Sequence, residues 1–245
     1  MPPVGVVARA FRVLRTFDER HPRLTLSEVS RRSGLPVNTV LRTLRSLVAE
    51  RALERGDDGR YAIGIGMWEI ATLATRGAAL RSVASPYLRD LQELSGQHAL
   101  LLVRDGDEAV LMERASPRGG DDRPAYRVGG RVPLATTGGG LALLAFAPAD
   151  VQQRALAAAA GGSRVEGVDG SGDLARLLAT TRSVGVALAA TGPPDDRVSI
   201  AAPIRDRSGV VAALSLVLDG GPDAGRPYAH ALVACARAIE RQLKR

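Results

Sequence analysis

The stretch Thr25-Leu-Ser-Glu-Val-Ser-Arg-Arg-Ser-Gly-Leu-Pro-Val-Asn-Thr-Val-Leu-Arg-Thr-Leu-Arg45 decides how the chain is organised. Thr25 and Glu28 have the spacing of a capping box, in which a hydroxyl and a carboxylate satisfy each other's orphan backbone amides at a helix start. The helix beginning there is short: Val29 points inward, Arg31 and Arg32 outward, and Gly34 ends it. Gly34-Leu35-Pro36 makes the turn, and a second helix is predicted from about Val37 to Arg51. Its apolar face is Val40, Leu41, Leu44, Leu47 and Val48, and Asn38, Thr39, Arg42, Thr43 and Arg45 occupy the remainder. Two short helices about a glycine turn, the second polar at its start, form a helix-turn-helix. The polar residues suit a DNA groove, since arginine grips guanine, asparagine reads adenine, and threonine touches a phosphate or a thymine methyl.

Upstream, Val6, Ala10, Val13, Leu14 and Phe17 recur at helical spacing with Arg9, Arg12 and Arg15 between them. Downstream, Leu53-Glu-Arg55 and Arg60-Tyr-Ala-Ile63 flank Gly56-Asp-Asp-Gly59, a hairpin signature and hence a wing. Arg55 and Arg60 are then in reach of flanking phosphates or a minor groove. The same residues also read as a three-helix core with an arginine-solvated surface. Residues 1–66 are thus expected to be a winged helix-turn-helix domain. Residues 67–81 are expected to form a linker helix, with Met67, Trp68, Ile70, Ala71, Leu73 and Ala74 apolar and Arg76-Gly77 loosening its end. A short helix holding the only tryptophan has little core of its own, so it packs either on a second copy or against its own domain.

Charge supports this division. Of the 245 residues, 33 are Lys or Arg and 26 Asp or Glu, a net +7. Residues 1–81 carry 14 Arg against 8 acids and residues 82–245 carry 19 Lys+Arg against 18, so +6 of the +7 lies in the first third. That asymmetry points to a polyanion-binding module joined to a nearly neutral one. Only Lys244 is lysine, a bias that a GC-rich genome also produces. The longest apolar run, Leu141 to Ala149, contains Pro148 and is far short of the ~20 residues of a spanning helix. No secretory signal is visible, and the single cysteine, Cys235, excludes an internal disulfide framework and any multi-cysteine zinc site. A cytoplasmic protein with no membrane partner, no metal and no cofactor is expected.

Residues 82–245 read as an α+β domain, an antiparallel sheet flanked by helices. A helix over Val83–Leu94 precedes strands Ala99–Arg104 and Glu108–Arg114, joined at Asp105-Gly-Asp107. A polar loop, Arg118–Arg123, follows. Helices are predicted at Leu141–Phe146, Asp150–Ala160, Asp173–Arg182 and Tyr228–Leu243, the last holding Cys235 as a core residue. Strands Val198–Ile204 and Val210–Leu218 flank the hairpin turn Asp206–Gly209.

The chain resembles the isocitrate lyase regulator (IclR) family of bacterial transcription factors over essentially its whole length. Five segments carry the likeness in order: Leu24–Pro36, Asp58–Gly64, Gly130-Arg-Val-Pro-Leu-Ala-Thr-Thr137, Ala201–Ile204 and Gly209–Ser215. The resemblance implies a winged helix-turn-helix, a linker helix and a GAF-like effector domain over residues 82–245. It also implies homodimers or homotetramers on palindromic double-stranded operators, with small organic acids or aromatics as effectors. Departures cluster in the effector region. Ala135 stands where relatives carry histidine, Gly140-Leu141 where a Gly-Lys pair is usual, Ser199 for a cysteine, Ala189-Ala-Thr-Gly192 for an acidic cluster, and Val217 for one of two serines, Ser215 remaining. The pocket therefore takes a larger or less polar effector, or takes none.

The expected DNA contacts are Thr25 and Ser27 on phosphates, the helix start Val37, then Asn38, Thr39, Arg42, Thr43 and Arg45, with Arg55 and Arg60 from the wing. The expected effector contacts are Thr136, Thr137, Gly138 and Gly139, where a helix N-terminus favours an anion or carbonyl oxygen, joined by the hydroxyls of Ser199 and Ser215. The glycine run also suits mere close packing. No catalytic residue is assigned: His21, His98 and His230 lie far apart in sequence, and Asp195-Asp196 reads as a solvated loop pair or a cation contact. The reading is a DNA-binding regulator, more a repressor than an activator, modulated by a small molecule. The alternatives are a ligand-binding or scaffolding protein whose helical head makes protein contacts, or a regulator with a degenerate, effector-free pocket.

Overall fold

The computed structural model describes residues 5–18, 20–117, 127–160, 168–191 and 197–244, divided into two compact units, residues 1–78 and 79–245.

In the first unit, α1 (Val6–Leu14) packs on α2 (Leu26–Ser33) and α3 (Val37–Ala49). The capping box forms as expected: the Thr25 hydroxyl accepts from the Glu28 amide, and the Glu28 carboxylate accepts from the Thr25 amide at 2.7 Å. Gly34 closes α2 at φ +64°, a left-handed conformation that glycine adopts without steric cost. Val13, Val29, Val40 and Leu44 meet in the core with Leu24, Leu53 and Tyr61. Leu41 is not among the residues packing that core, so the apolar face of α3 is narrower than its sequence pattern. Arg32 ties the corner together, donating to Thr16 O at 2.8 Å and pairing with Asp18.

The wing is a three-stranded antiparallel sheet in the order β1 (Arg23–Leu24), β3 (Tyr61–Ile63), β2 (Leu53–Arg55). Its hairpin closes through Gly56 N–H to Arg60 O at 2.8 Å. A Cβ at Gly64 would stand 2.4 Å from Arg51 O, so only glycine allows the chain to leave the wing there.

The expected linker helix over 67–81 is instead two helices. The first, α4 (Ile65–Thr72), ends at Leu73, and the second, α5 (Thr75–Ser95), runs on to Ser95. The continuous run follows from packing: Leu80, Ala84, Leu88 and Leu91 of α5 are buried against the sheet of the second unit, which holds this helix together through Pro86. On α4, Trp68 is 62% exposed, with Ile70 and Leu73 exposed beside it.

The second unit is an α+β fold on a six-stranded antiparallel sheet, ordered β6 (Arg131–Pro133), β5 (Glu108–Ala115), β4 (His98–Asp105), β9 (Gly209–Asp219), β8 (Arg197–Asp206), β7 (Ala187–Thr191). Strand alternation sends Leu101, Ile200 and Leu214 to one face, under α5 and α9 (Ala229–Leu243). Leu100, Leu102, Ala201 and Ala213 face the other way, under α6 (Gly138–Leu144), α7 (Ala149–Ala159) and α8 (Ser171–Val184). Strand β7 was not expected from the sequence, because Ala187-Leu-Ala-Ala-Thr191 lacks β-branched residues until its last position. Pro203 lies beyond the end of the β7 ladder, which stops at Ala201, and is paired on its other side with Ala213 of β9. Cys235 is half-buried, and burial, then Asp90, push its thiol pKa up. The polar loop 118–123 and the pair Asp195-Asp196 lie outside the described residues.

Candidate nucleic-acid interface and effector pocket

Helix α3 begins at Pro36, which has no side-chain acceptor to offer, and its first internal bonds are Thr39 N–H and Val40 N–H to Pro36 O at 2.9 and 3.0 Å. The amides of Val37 and Asn38 precede those bonds and have no partner within the helix. Asn38, Arg42 and Arg45 are exposed, while Thr39 and Thr43 are half-buried, the Thr43 hydroxyl donating to Thr39 O at 2.9 Å. Among the described residues neither the Arg42 nor the Arg45 guanidinium has an ion-pair or hydrogen-bond partner. Between α1 and α3 lies a groove of about 340 Å³, with Arg9 on one wall and Thr39, Arg42, Thr43 and Ser46 on the other. The sequence places arginines throughout α1, but only helix packing selects Arg9 as the one across from Arg42.

The neighbouring elements treat their polar groups differently. The Thr25 hydroxyl is held in the capping box, donating to Glu28 Oε2 at 2.9 Å, whereas Ser27 is exposed. The Thr25 backbone and side-chain hydrogen bonds, aided by Arg60 and Arg31, hold the Glu28 carboxyl below the usual range. Arg60 is drawn back onto α2, its guanidinium 3.3 Å from Glu28 Oε2 and 3.5 Å from Arg23 O. Arg55 lies 5.7 Å from the centroid of the Tyr61 ring, a cation–π contact, and Arg23 pairs with Asp58 at 3.0 Å. The wing's cations therefore have intramolecular partners, and those of α3 have none among the described residues.

In the second unit, the structure sets Ser199 and Ser215 on the sheet face beneath α6, with Ser199 against Gly138 at the start of that helix. Ser199 pairs across strands with Val217 and Ser215 with Ala201, so all four share the sheet face that α6 covers. The hydroxyls are already engaged. Ser199 Oγ accepts from Gly138 N–H at 2.7 Å and donates to Ala189 O at 3.3 Å, and Ser215 Oγ donates to Ile200 O at 3.1 Å while 1% exposed. Thr137 caps α6, accepting from Gly140 N–H at 3.0 Å, and Thr136 donates to Pro133 O at 2.9 Å. A Cβ would stand 2.3 Å from Ser199 O at Gly138, 2.7 Å from Leu102 Cδ1 at Gly139 and 2.3 Å from Leu134 O at Gly140. The glycine run thus seats α6 on the sheet, and two of its first amides are satisfied by protein hydroxyls.

A cavity of about 370 Å³ opens on the outer side of this segment, between α7 and the 3-10 turn Leu134–Thr136. Ala135, Thr136, Val151 and Ala155 line it, and Arg154 bridges Asp107 (2.8 Å) and Asp150 (2.9 Å) at its rim. Hydrogen bonds from Arg154 lower both carboxyl pKa values, and those bonds raise the guanidinium's own. Of the expected effector residues only Thr136 lines this cavity. Ala135, a departure from the pattern the sequence resembles, lines the cavity beside Thr136. The histidines are dispersed: His21 pairs with Asp18 at 2.8 Å, His98 is buried and meets Ser116 at 2.9 Å, and His230 is exposed.

The family model for the IclR helix-turn-helix domain matches residues 6–57, and that for the bacterial transcriptional regulator IclR C-terminal domain matches residues 72–241. The transcriptional repressor AllR of Escherichia coli is 29% identical over 137 residues, 56% of this chain and 50% of its own length. The transcriptional regulator TtgV of Pseudomonas putida is 30% identical over 155 residues, 62% of this chain and 58% of its own. The chain spans about half the length of the curated relatives it matches. Among solved structures, an IclR homolog from Microbacterium hydrocarbonoxydans in complex with 4-hydroxybenzoate is 32% identical, with a TM-score of 0.88 over 98% of this chain and 99% of its own. The Thermotoga maritima IclR, 22% identical with a TM-score of 0.75 over 98% of each chain, shares the fold. In the described residues, no helix is long and apolar enough to cross a membrane.

Proposed function

Because the chain belongs to the IclR family of bacterial transcriptional regulators, we propose that it is a sequence-specific DNA-binding repressor whose operator affinity is set by a small molecule in its C-terminal unit. The observation that carries this reading is the outward face of α3, where the Arg42 and Arg45 guanidiniums stand beside Asn38 without partners among the described residues, on a helix whose first amides have no acceptor within it. Asn38, Thr39, Arg42 and Thr43 read base edges, and Val37 and Arg45 border them. Ser27, exposed in the first turn of α2, donates to a phosphate; Thr25 does so only by giving up Glu28, to which its hydroxyl and amide both donate. Arg55 and Arg60 reach the backbone only by exchanging Tyr61 and Glu28 for phosphate.

The chain acts by binding rather than catalysis, in the cytoplasm, as a homodimer or homotetramer on a palindromic operator. The exposed Trp68 and Ile70 of α4, with Leu73 just after it, supply apolar surface for a second copy. Half-sites stand about one helical turn apart, so a small change in the spacing of paired recognition helices abolishes binding. The effector is a small aromatic or other organic acid that enters the cavity beside Thr136, while Thr137, Gly138, Gly139, Ser199 and Ser215, buried or bonded internally, shape the wall behind it. Support comes from the apolar substitutions around these residues and from the relative crystallised with 4-hydroxybenzoate.

An electrophoretic shift with the DNA upstream of the chain's own gene tests the regulator reading. Retardation that survives competitor DNA is expected, and its absence at every protein concentration and with every candidate acid refutes the reading. Thermal-shift titration with 4-hydroxybenzoate and related acids tests the effector; a melting temperature unmoved by all of them favours the effector-free alternative.

A further inference from the structure

Helix α3 carries two apolar side chains that the core of its own unit does not use. Val40 and Leu44 are buried in that core, with Leu47 and Val48 packed against them. Val37 is 49% exposed, and neither Val37 nor Leu41 is among the residues that pack there. One helical turn separates the two, so they form a short apolar ridge, continued a further turn along by Arg45. Asn38, exposed, stands next to Val37 in the first turn of the helix.

An apolar ridge on a surface ordinarily meets another apolar surface. Here its neighbours are the guanidiniums of Arg42 and Arg45, neither in an ion pair with a carboxylate among the described residues, and the helix start has no acidic residue in its first turn. That electrostatic setting suits a polyanion and disfavours a protein groove that offers only apolar contact. In the major groove the one apolar group on the base edges is the C5-methyl of thymine, and the first residues of a recognition helix are those that reach base edges. We propose that Val37 reads a thymine methyl in each half-site, with Leu41 backing it, so that operator choice depends on an apolar contact as well as on hydrogen bonds. This rests on the DNA-binding reading of α3 and adds to it a base identity at one position.

The test separates the two claims. The full-length protein selects its operator from a random duplex pool, and each thymine is then replaced by deoxyuridine, which removes only the methyl and leaves base pairing intact. At one thymine per half-site the affinity should fall about fourfold, the worth of one buried methyl-sized group, and about sixteenfold when both half-sites are changed. Val37→Ser should bind thymine and deoxyuridine operators equally; because Val37 lies outside the core, its melting temperature should match that of the unaltered protein. Indifference of the unaltered protein to deoxyuridine at every position overturns the proposal while leaving DNA binding intact. Sensitivity that persists in Val37→Ser assigns the methyl to another residue and overturns it equally. Failure to enrich any sequence from the pool removes the regulator reading itself, and this inference with it.

Discussion

The starts of α3 and α6 were both candidate ligand-binding helix ends, and the molecule finishes them in opposite ways. Helix α3 opens on Pro36, leaves its first two amides without acceptors inside the helix, and surrounds them with exposed polar and cationic side chains. Helix α6 opens on Thr137, whose hydroxyl takes the Gly140 amide, while Ser199 takes that of Gly138, and every residue from Gly138 to Leu144 is buried. The same partial charge is presented to a partner at one site and neutralised internally at the other. A helix N-terminus is a binding site only where the fold withholds its own acceptors.

The largest test of this contrast is steric. Gly138→Ala places a Cβ 2.3 Å from the Ser199 carbonyl oxygen, a backbone atom that cannot swing aside. Chemical denaturation should show a loss of about 3 kcal/mol, at the upper end for overpacking. A variant as stable as the parent would mean that α6 is not seated on β8 as described.

Next in size is the cationic face. Arg42→Ala should weaken operator binding by ~1–3 kcal/mol and relax specificity, whereas Arg60→Ala, whose guanidinium already faces Glu28, should cost less. Equal losses for the two in a titration shift assay would erase the distinction between the free and the paired cations. An Arg42→Ala loss that is the same on operator and random DNA would make Arg42 a phosphate contact.

Capping comes third. Thr137→Ala and Thr25→Ala each remove a hydroxyl that accepts from a helix amide, and each should cost about 1 kcal/mol of unfolding free energy. Val37→Ala, at a start that relies on no side-chain cap, should leave stability almost unchanged. The smallest effect is a pH dependence in the first unit. Burial raises the Asp18 pKa, but hydrogen bonds from the His21 ring and amide, with the charges of His21 and Arg32, outweigh it and bring it from 3.8 to about 2. A carboxyl depressed on folding stabilises above its unfolded pKa, so this contribution is present above about pH 4 and is lost as the pH falls toward 2. Asp18→Asn should therefore lower the melting temperature at pH 6 and flatten its decline below pH 4; an unchanged acid limb would show that Asp18 is not the titrating group.

The helix-turn-helix was legible because its determinants are local. The Thr25–Glu28 box, Gly34 and the Gly56–Gly59 turn act within four residues, and physical constraints of that range appear as spacing in a sequence. The antiparallel α+β class of the second unit was legible from its hairpins for the same reason. Strand β7 was not, because alanines carry no strand preference and the segment pairs only once β8 is present. The run of α5 to Ser95 was likewise set by burial of Leu80, Ala84, Leu88 and Leu91 on a sheet assembled from strands as far along the chain as β9.

For the sites, the amino-acid sequence by itself determined which polar residues gather on α3 and which hydroxyls and glycines surround the start of α6. Only the tertiary structure decided which of them remain available. Arg60 finds Glu28 from 32 residues away, Ser199 finds Gly138 from 61 away, and Leu41 leaves the core face that its spacing predicts. The reason is that a hydrogen-bonding group or an apolar surface is free for a ligand only after the whole fold has chosen its internal partners, and those partners are distant in the chain.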